Sequence, residues 1–162
     1  TSNKPSNWFT LNVQAAIMMT TMYEYSEYYQ FNMPVKRLYQ CFYKTELLVQ
    51  WFVSQDLALH QIVMSLQKGA EFEWVFKDAR GQRITYTGQF AEIFPEEQLI
   101  FTLKPEQEYE TALDIRFERT DEGSQLHVIQ SHLVDDAAYE QAVYDWQQHT
   151  RRLALLTDTA RI

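Results

Sequence analysis

The residues with chemistry to offer are four histidines, one cysteine and a scatter of acids. Asp145 and His149 stand four apart, which on a helix sets a carboxyl and an imidazole on one face, a turn apart. Such a pair can share a proton or hold the ring in one orientation. By strict alternation His132 shares a strand face with Leu126, Val128 and Gln130, so it is expected to point inward too. A cluster of His132, His149 and Asp145 in a closed cavity could do acid–base work. The plainer reading is of isolated histidines on partly exposed faces with local hydrogen bonds.

Other chemistries find less. Metal binding needs three or four convergent ligands, and the histidines have no H-x-x-x-H or similar spacing, so neither a metal nor a cofactor is expected. One cysteine excludes an internal disulfide and a thiolate-based structural zinc site, which fits a reducing compartment. Cys41 lies beside Phe42 in an apolar helical stretch and reads as a buried, inert thiol. There is no nucleophile elbow or phosphate loop, and Gly occurs only four times. Glu92 reads as a structural acid on a hairpin. A net charge of −8 is poorly suited to nucleic acid or anionic lipid. No apolar run approaches the ~20 residues needed to span a bilayer.

Aromatic side chains are the better candidates, at 15% of the chain. Trp74, Phe76, Tyr86, Phe90, Phe101, Phe117, Tyr139 and Trp146 fall on faces that should meet between a sheet and a helix. Gln130 and His132 would add the few polar contacts that orient a mostly apolar ligand. These ten form the expected ligand-binding set. The same rings could instead fill the space as a packed core, and the sequence leaves both readings open.

The elements that must position them are legible. Residues 23–31 alternate Tyr23, Tyr25, Glu27, Tyr29 and Phe31 as a first strand. Pro34 opens a short helix with Val35, Leu38, Tyr39 and Phe42 inward. Thr45 is placed to cap a second, with Leu47, Leu48, Trp51 and Phe52 inward. Strands follow near 59–66, 70–77, 83–93, 97–103, 110–119 and 125–133, with pieces between them too short for crossover helices, so the pairing is antiparallel. In the central hairpin Gly88 marks a bend or a close approach, and Pro95-Glu96-Glu97 makes the turn. Phe72, Trp74, Phe76, Leu113, Ile115, Phe117, Leu126 and Val128 take one face, opposite Glu71, Glu73, Lys77, Asp114, Arg116 and Glu118. From about Asp136 to Ala160, Tyr139, Val143, Trp146, Thr150, Leu153, Thr157 and Ala160 recur as one helix face, with Asp135 and Asp136 suited to its start and Arg151, Arg152 and Arg161 to its end.

The expected fold is therefore α+β, a helix-grip. A curved antiparallel sheet of six or seven strands carries two short helices after its first strand and a long terminal helix across it. Residues 22–162 are expected to form one such domain, large enough to bury about 70% of its unfolded surface. Residues 1–21 read as an extension in which Trp8, Phe9 and Leu11 pack on the body or on a neighbouring chain. That segment makes a poor signal peptide, and Met18, Met19 and Met22 are candidate starts.

On these elements the chain resembles the AHSA-type branch (activator of heat-shock protein 90 ATPase homologue) of the START-like and birch-pollen-allergen-like superfamily, SRPBCC. The likeness covers roughly residues 22–160. It is carried by Leu38-Tyr39, by Thr45-Glu46-Leu47-Leu48-Val49-Gln50-Trp51-Phe52, by Gly69-Ala70-Glu71-Phe72, by Gly88, Phe90, Glu92, Ile93, Pro95, Leu99, Phe101 and Thr102, and by Asp145-Trp146 with Leu153. The family's proline is missing from the second segment, and Asp145 stands where the family carries glycine. These motifs specify the fold more than a ligand. The resemblance implies a small hydrophobic or amphipathic molecule, lipid-like ones included, held between sheet and helix in a cytoplasmic protein. It also raises a chaperone-ATPase-activating or other protein-interaction role linked to stress response, and a hydrolase- or cyclase-like cavity enzyme. An exposed sheet edge makes a homodimer plausible.

Overall fold

The computed structural model describes residues 22–54 and 56–156. The extension of residues 1–21 with Trp8, Phe9 and Leu11 lies outside the described residues, as do Thr157, Ala160 and Arg161. Strand β1 (Tyr23–Phe31) is followed by helices α1 (Val35–Tyr43) and α2 (Thr45–Trp51). Then come β2 (Val53–Ser54), β3 (Leu57–Val63), β4 (Glu71–Lys77), β5 (Arg83–Phe94), β6 (Gln98–Pro105), β7 (Thr111–Thr120) and β8 (Gly123–Leu133), and helix α3 (Asp136–Leu155) closes the run. The fold is the expected α+β helix-grip. Its antiparallel sheet has seven strands of seven residues or more, plus the two-residue β2 that periodicity is too short to reveal.

The order across the sheet is β1-β8-β7-β6-β5-β4-β3-β2. Every neighbour but β1–β8 is consecutive in sequence, as short turns require. The chain must cross from one edge, β1, to the other, β2, and α1 and α2 make that crossing. On the way α1 packs on β7 and β8, and α2 on β3 and α3. Lys44 ends α1 and begins α2 in a single extended residue. This leaves no room for the expected Thr45 cap: Thr45 is already helical, and no side chain caps α2.

The face assignments hold. Phe72, Trp74, Phe76, Leu113, Ile115, Phe117, Leu126 and Val128 are all buried. Their acidic and basic neighbours lie on the wetter side, where Lys68 pairs with Glu92 at 3.0 Å. In the β5–β6 hairpin the Glu97 N–H donates to the Phe94 carbonyl at 2.9 Å, with Pro95 and Glu96 (φ 62°) at the corner. Gly88 is a close approach: a Cβ there would strike the Phe72 ring and the Thr102 carbonyl.

Asp135 caps α3 by accepting from the Ala138 N–H at 2.8 Å. The helix touches β1 and β8 at one side of the sheet and β2 at the other. Such a sheet is concave, gripping the helix by its edges and leaving space beneath the middle. Along α3, Ala142, Trp146, His149, Thr150 and Leu153 are buried, while Tyr139 and Val143 are half-buried. The inner face thus includes an alanine and a histidine that apolar periodicity passes over.

Candidate ligand site under the last helix

A cavity of about 450 Å³ lies between α3 and the strands from β5 to β8. Tyr86 on β5, Leu103 and Pro105 on β6, Leu113 on β7 and Leu133 on β8 give its apolar wall. From the helix come two stripes at i, i+4 spacing: Ala138, Ala142 and Trp146, and beside them Gln141, Asp145 and His149. The alanines face the wall with almost no side chain, which keeps the space open. Phe52 closes the inner end, and Glu108 and Tyr109 from the β6–β7 turn stand over the outer one. That turn is tight: Glu108 N–H donates to the Pro105 carbonyl at 3.0 Å, with Gln107 at φ 63°.

Inside, polar groups are tied to one another. Trp146 Nε1 donates to Gln130 Oε1 at 3.0 Å, and Gln130 Nε2 donates to Thr111 Oγ1 at 3.1 Å. Gln141 Nε2 donates to Asp145 Oδ1 at 2.9 Å. Burial pushes the Asp145 carboxyl up to about 6; Gln141 opposes that shift and the charge of Glu108 adds to it. His149 is 3% exposed, stacked on Phe52 at 4.6 Å and edge-on to Trp146 at 5.1 Å. Burial pushes its ring down to about 3, Arg152 pushes the same way, and a hydrogen bond to the Trp51 backbone opposes them. The ring is neutral, and its Nδ1 has no hydrogen-bond partner.

Of the ten residues expected to bind ligand, Tyr86, Gln130 and Trp146 line this cavity. Trp74, Phe76, Phe90 and Phe101 are buried among rings: Trp74 meets Phe72 at 4.7 Å, Phe76 meets Tyr86 at 4.5 Å, and Phe90 meets Phe101 at 5.9 Å. Phe117 sits beneath α1, edge-on to Tyr39 and Phe42. Tyr139 packs with Tyr23 and Tyr25.

His132 departs from the expectation that it points inward: it is exposed. Register between β8 and β1 runs from Gln130 opposite Tyr25 to Leu133 opposite Tyr23, so Ser131 and His132 both face Glu24. This extra residue is a bulge, with His132 at φ 66°. It reverses the alternation and gives the inward place to Leu133, 3% exposed. The cluster of His132, His149 and Asp145 is therefore split, and only the helical pair reaches the cavity. Sequence reasoning passed over Ala138, Ala142, Gln141 and Glu108. The signal for three of them was the spacing 138-142-146 and 141-145-149, readable once a cavity rather than a core is sought.

Among the described residues no three His, Cys, Asp or Glu side chains gather as a metal site. No helix among them is long and apolar enough to cross a membrane. Cys41 is buried, with its thiol pushed up to about 11 by that burial.

The family model described as activator of Hsp90 ATPase homolog 1-like protein matches residues 32–158. No curated protein matches the sequence at significance. Among solved structures, a protein from Chromobacterium violaceum aligns with TM-score 0.75 and 21% identity, over 83% of this chain and 96% of that one. One from Nitrosomonas europaea aligns with TM-score 0.75 and 21% identity, over 85% and 95%. An AHSA1 protein from Silicibacter pomeroyi aligns with TM-score 0.71 and 19% identity, over 82% and 96%. At these identities the likeness is one of fold.

Proposed function

The chain belongs to the activator of Hsp90 ATPase homolog 1-like family, and from that premise we propose that it is a binding protein for a small amphipathic molecule held between the sheet and α3. The observation that carries this reading is the cavity of about 450 Å³, walled by rings and aliphatic side chains and furnished with a few fixed polar groups. Lone polar atoms in an apolar space orient a ligand rather than supply most of its affinity. The reading places the protein in the cytoplasm, in keeping with a single buried thiol.

Binding is favoured over catalysis by how the polar groups are spent. His149, held near 3, is too weak a base for work at neutral pH. Trp146 Nε1, a donor suited to steadying a developing anion, already holds Gln130 Oε1, and the Gln130 and Gln141 amides each give one of their two N–H groups to a neighbour. The test is native mass spectrometry of gently purified protein, with titration of N-phenyl-1-naphthylamine as a fluorescent neutral probe. A bound small molecule, or probe binding that Ala138→Leu abolishes, is the expected result. A bare protein that ignores the probe would overturn the reading.

The family description supports a second reading, stimulation of a chaperone ATPase. Its test is the hydrolysis rate of Hsp90 with and without this chain: a rise of severalfold supports it, and an unchanged rate removes it.

A further inference from the structure

We propose that the cavity selects an organic cation, an amphipathic amine whose ammonium group sits against Asp145 while its apolar body fills the space beneath α3. The inference rests on the ligand-binding reading and names the class of ligand. Its first support is charge. The cavity's ionisable lining includes Asp145, Glu108 and Asp135 and contains neither Lys nor Arg. A fatty acid or other carboxylate would therefore meet like charge with no counter-ion.

The second support is the neighbour one turn from Asp145. His149 lines the cavity with its ring stacked on Phe52 and edge-on to Trp146. Burial among those rings keeps the imidazole uncharged, so it sets no positive charge against a cation beside Asp145. The third support is the lining itself: Phe52, Tyr86 and Trp146 border the space, and aromatic rings attract organic cations. A metal ion fits less well, since the acids and His149 do not gather in threes among the described residues.

A matched series tests this. Isothermal titration at pH 7.5 would compare 2-naphthylmethylamine, 2-naphthylmethanol and 2-naphthoate, which share one ring system and differ in head-group charge. The amine should bind at least about tenfold tighter than the alcohol, as for a partly buried charge-assisted hydrogen bond, and the carboxylate weakest. In Asp145→Asn the amine-to-alcohol ratio should fall to about twofold, and in Glu108→Gln it should fall part of the way. Circular dichroism checks that both variants fold. Alcohol or carboxylate binding as tight as the amine would overturn the amine inference and leave the ligand-binding reading intact. Binding of the amine with an unchanged ratio in both variants would also overturn it. No binding by any of the three would overturn both.

Discussion

The space beneath α3 has two ends, built by the same strands with opposite results. Along β7, Thr111 and Leu113 border the cavity, while Phe117, four residues past Leu113, packs against Phe42 and Tyr39 of α1. At the packed end Leu38, Cys41, Trp51, Ile115 and Leu126 are at most 1% exposed. At the other end the helix offers Ala138, Ala142, Gln141 and Asp145. The backbone frame is shared, so side-chain volume decides where the grip is solid and where it is hollow. Stability should therefore concentrate at one end and selectivity at the other.

The largest break in that comparison is Trp51→Ala. Trp51 is 1% exposed, donates from Nε1 to the Cys41 carbonyl at 2.7 Å, and touches the rings of Phe42, Phe52 and His149. Its removal should cost about 3–5 kcal/mol, read by chemical denaturation. A loss below about 1 kcal/mol would mean that the packed end is not the stabilising one. The converse change is Ala138→Leu, which adds volume where space exists. It should alter stability by less than about 1 kcal/mol, because Ala138 borders the open space and the added carbons can extend into it. Probe binding should nevertheless fall by at least about tenfold as the added carbons occupy the site.

The hollow end should also bend the pH dependence of stability, through two groups one turn apart with opposite signs. Asp145 is raised from 3.8 to about 6 on folding, so its contribution is present below pH 4 and lost as pH rises through 6. His149 is lowered from 6.5 to about 3, so its contribution is present above pH 6.5 and lost as pH falls toward 3. Removing the Asp145 charge isolates the first. Asp145→Asn should gain about 1–2 kcal/mol on the parent protein between pH 4 and pH 7, after discounting for a partly solvated carboxyl. Denaturation at a series of pH values reads this, and parallel curves for the two proteins would mean that Asp145 titrates normally.

Sequence carried the frame further than the site, for physical reasons. Residues 23–31 read as a strand because Tyr25, Tyr29 and Phe31 turn inward at period two while Glu24, Ser26 and Gln30 face water, and Pro95 and Gly88 mark the central hairpin because each meets a steric demand there. The cavity is a different object. It depends on what is missing from Ala138 and Ala142, and no hydrophobicity pattern registers an absence of volume. Rings at Trp74, Phe90 and Phe101 look the same in sequence as the rings at Tyr86 and Trp146. Only the third dimension assigns the first three to core and the latter two to the cavity wall. Asp145 was visible as a departure from a family glycine, yet its environment, half-withdrawn from water beside Glu108, required the turn after β6 to be placed.

The smallest expected effect concerns the residue that alternation put on the wrong face. His132 sits in the β8 bulge at φ 66°, a conformation that costs a non-glycine residue about 1 kcal/mol. His132→Gly would relieve that strain and return a similar amount through the greater freedom of glycine in the unfolded chain. Stability should stay within about 0.5 kcal/mol of the parent. Because the imidazole is exposed while Leu133 takes the inward place, affinity for the naphthyl probes should also stay the same. A severalfold loss of affinity would put His132 back at the cavity and restore its link with Asp145 and His149. A stability loss of several kcal/mol would instead show that the imidazole itself holds the bulge, and with it the register that turns Leu133 toward the helix.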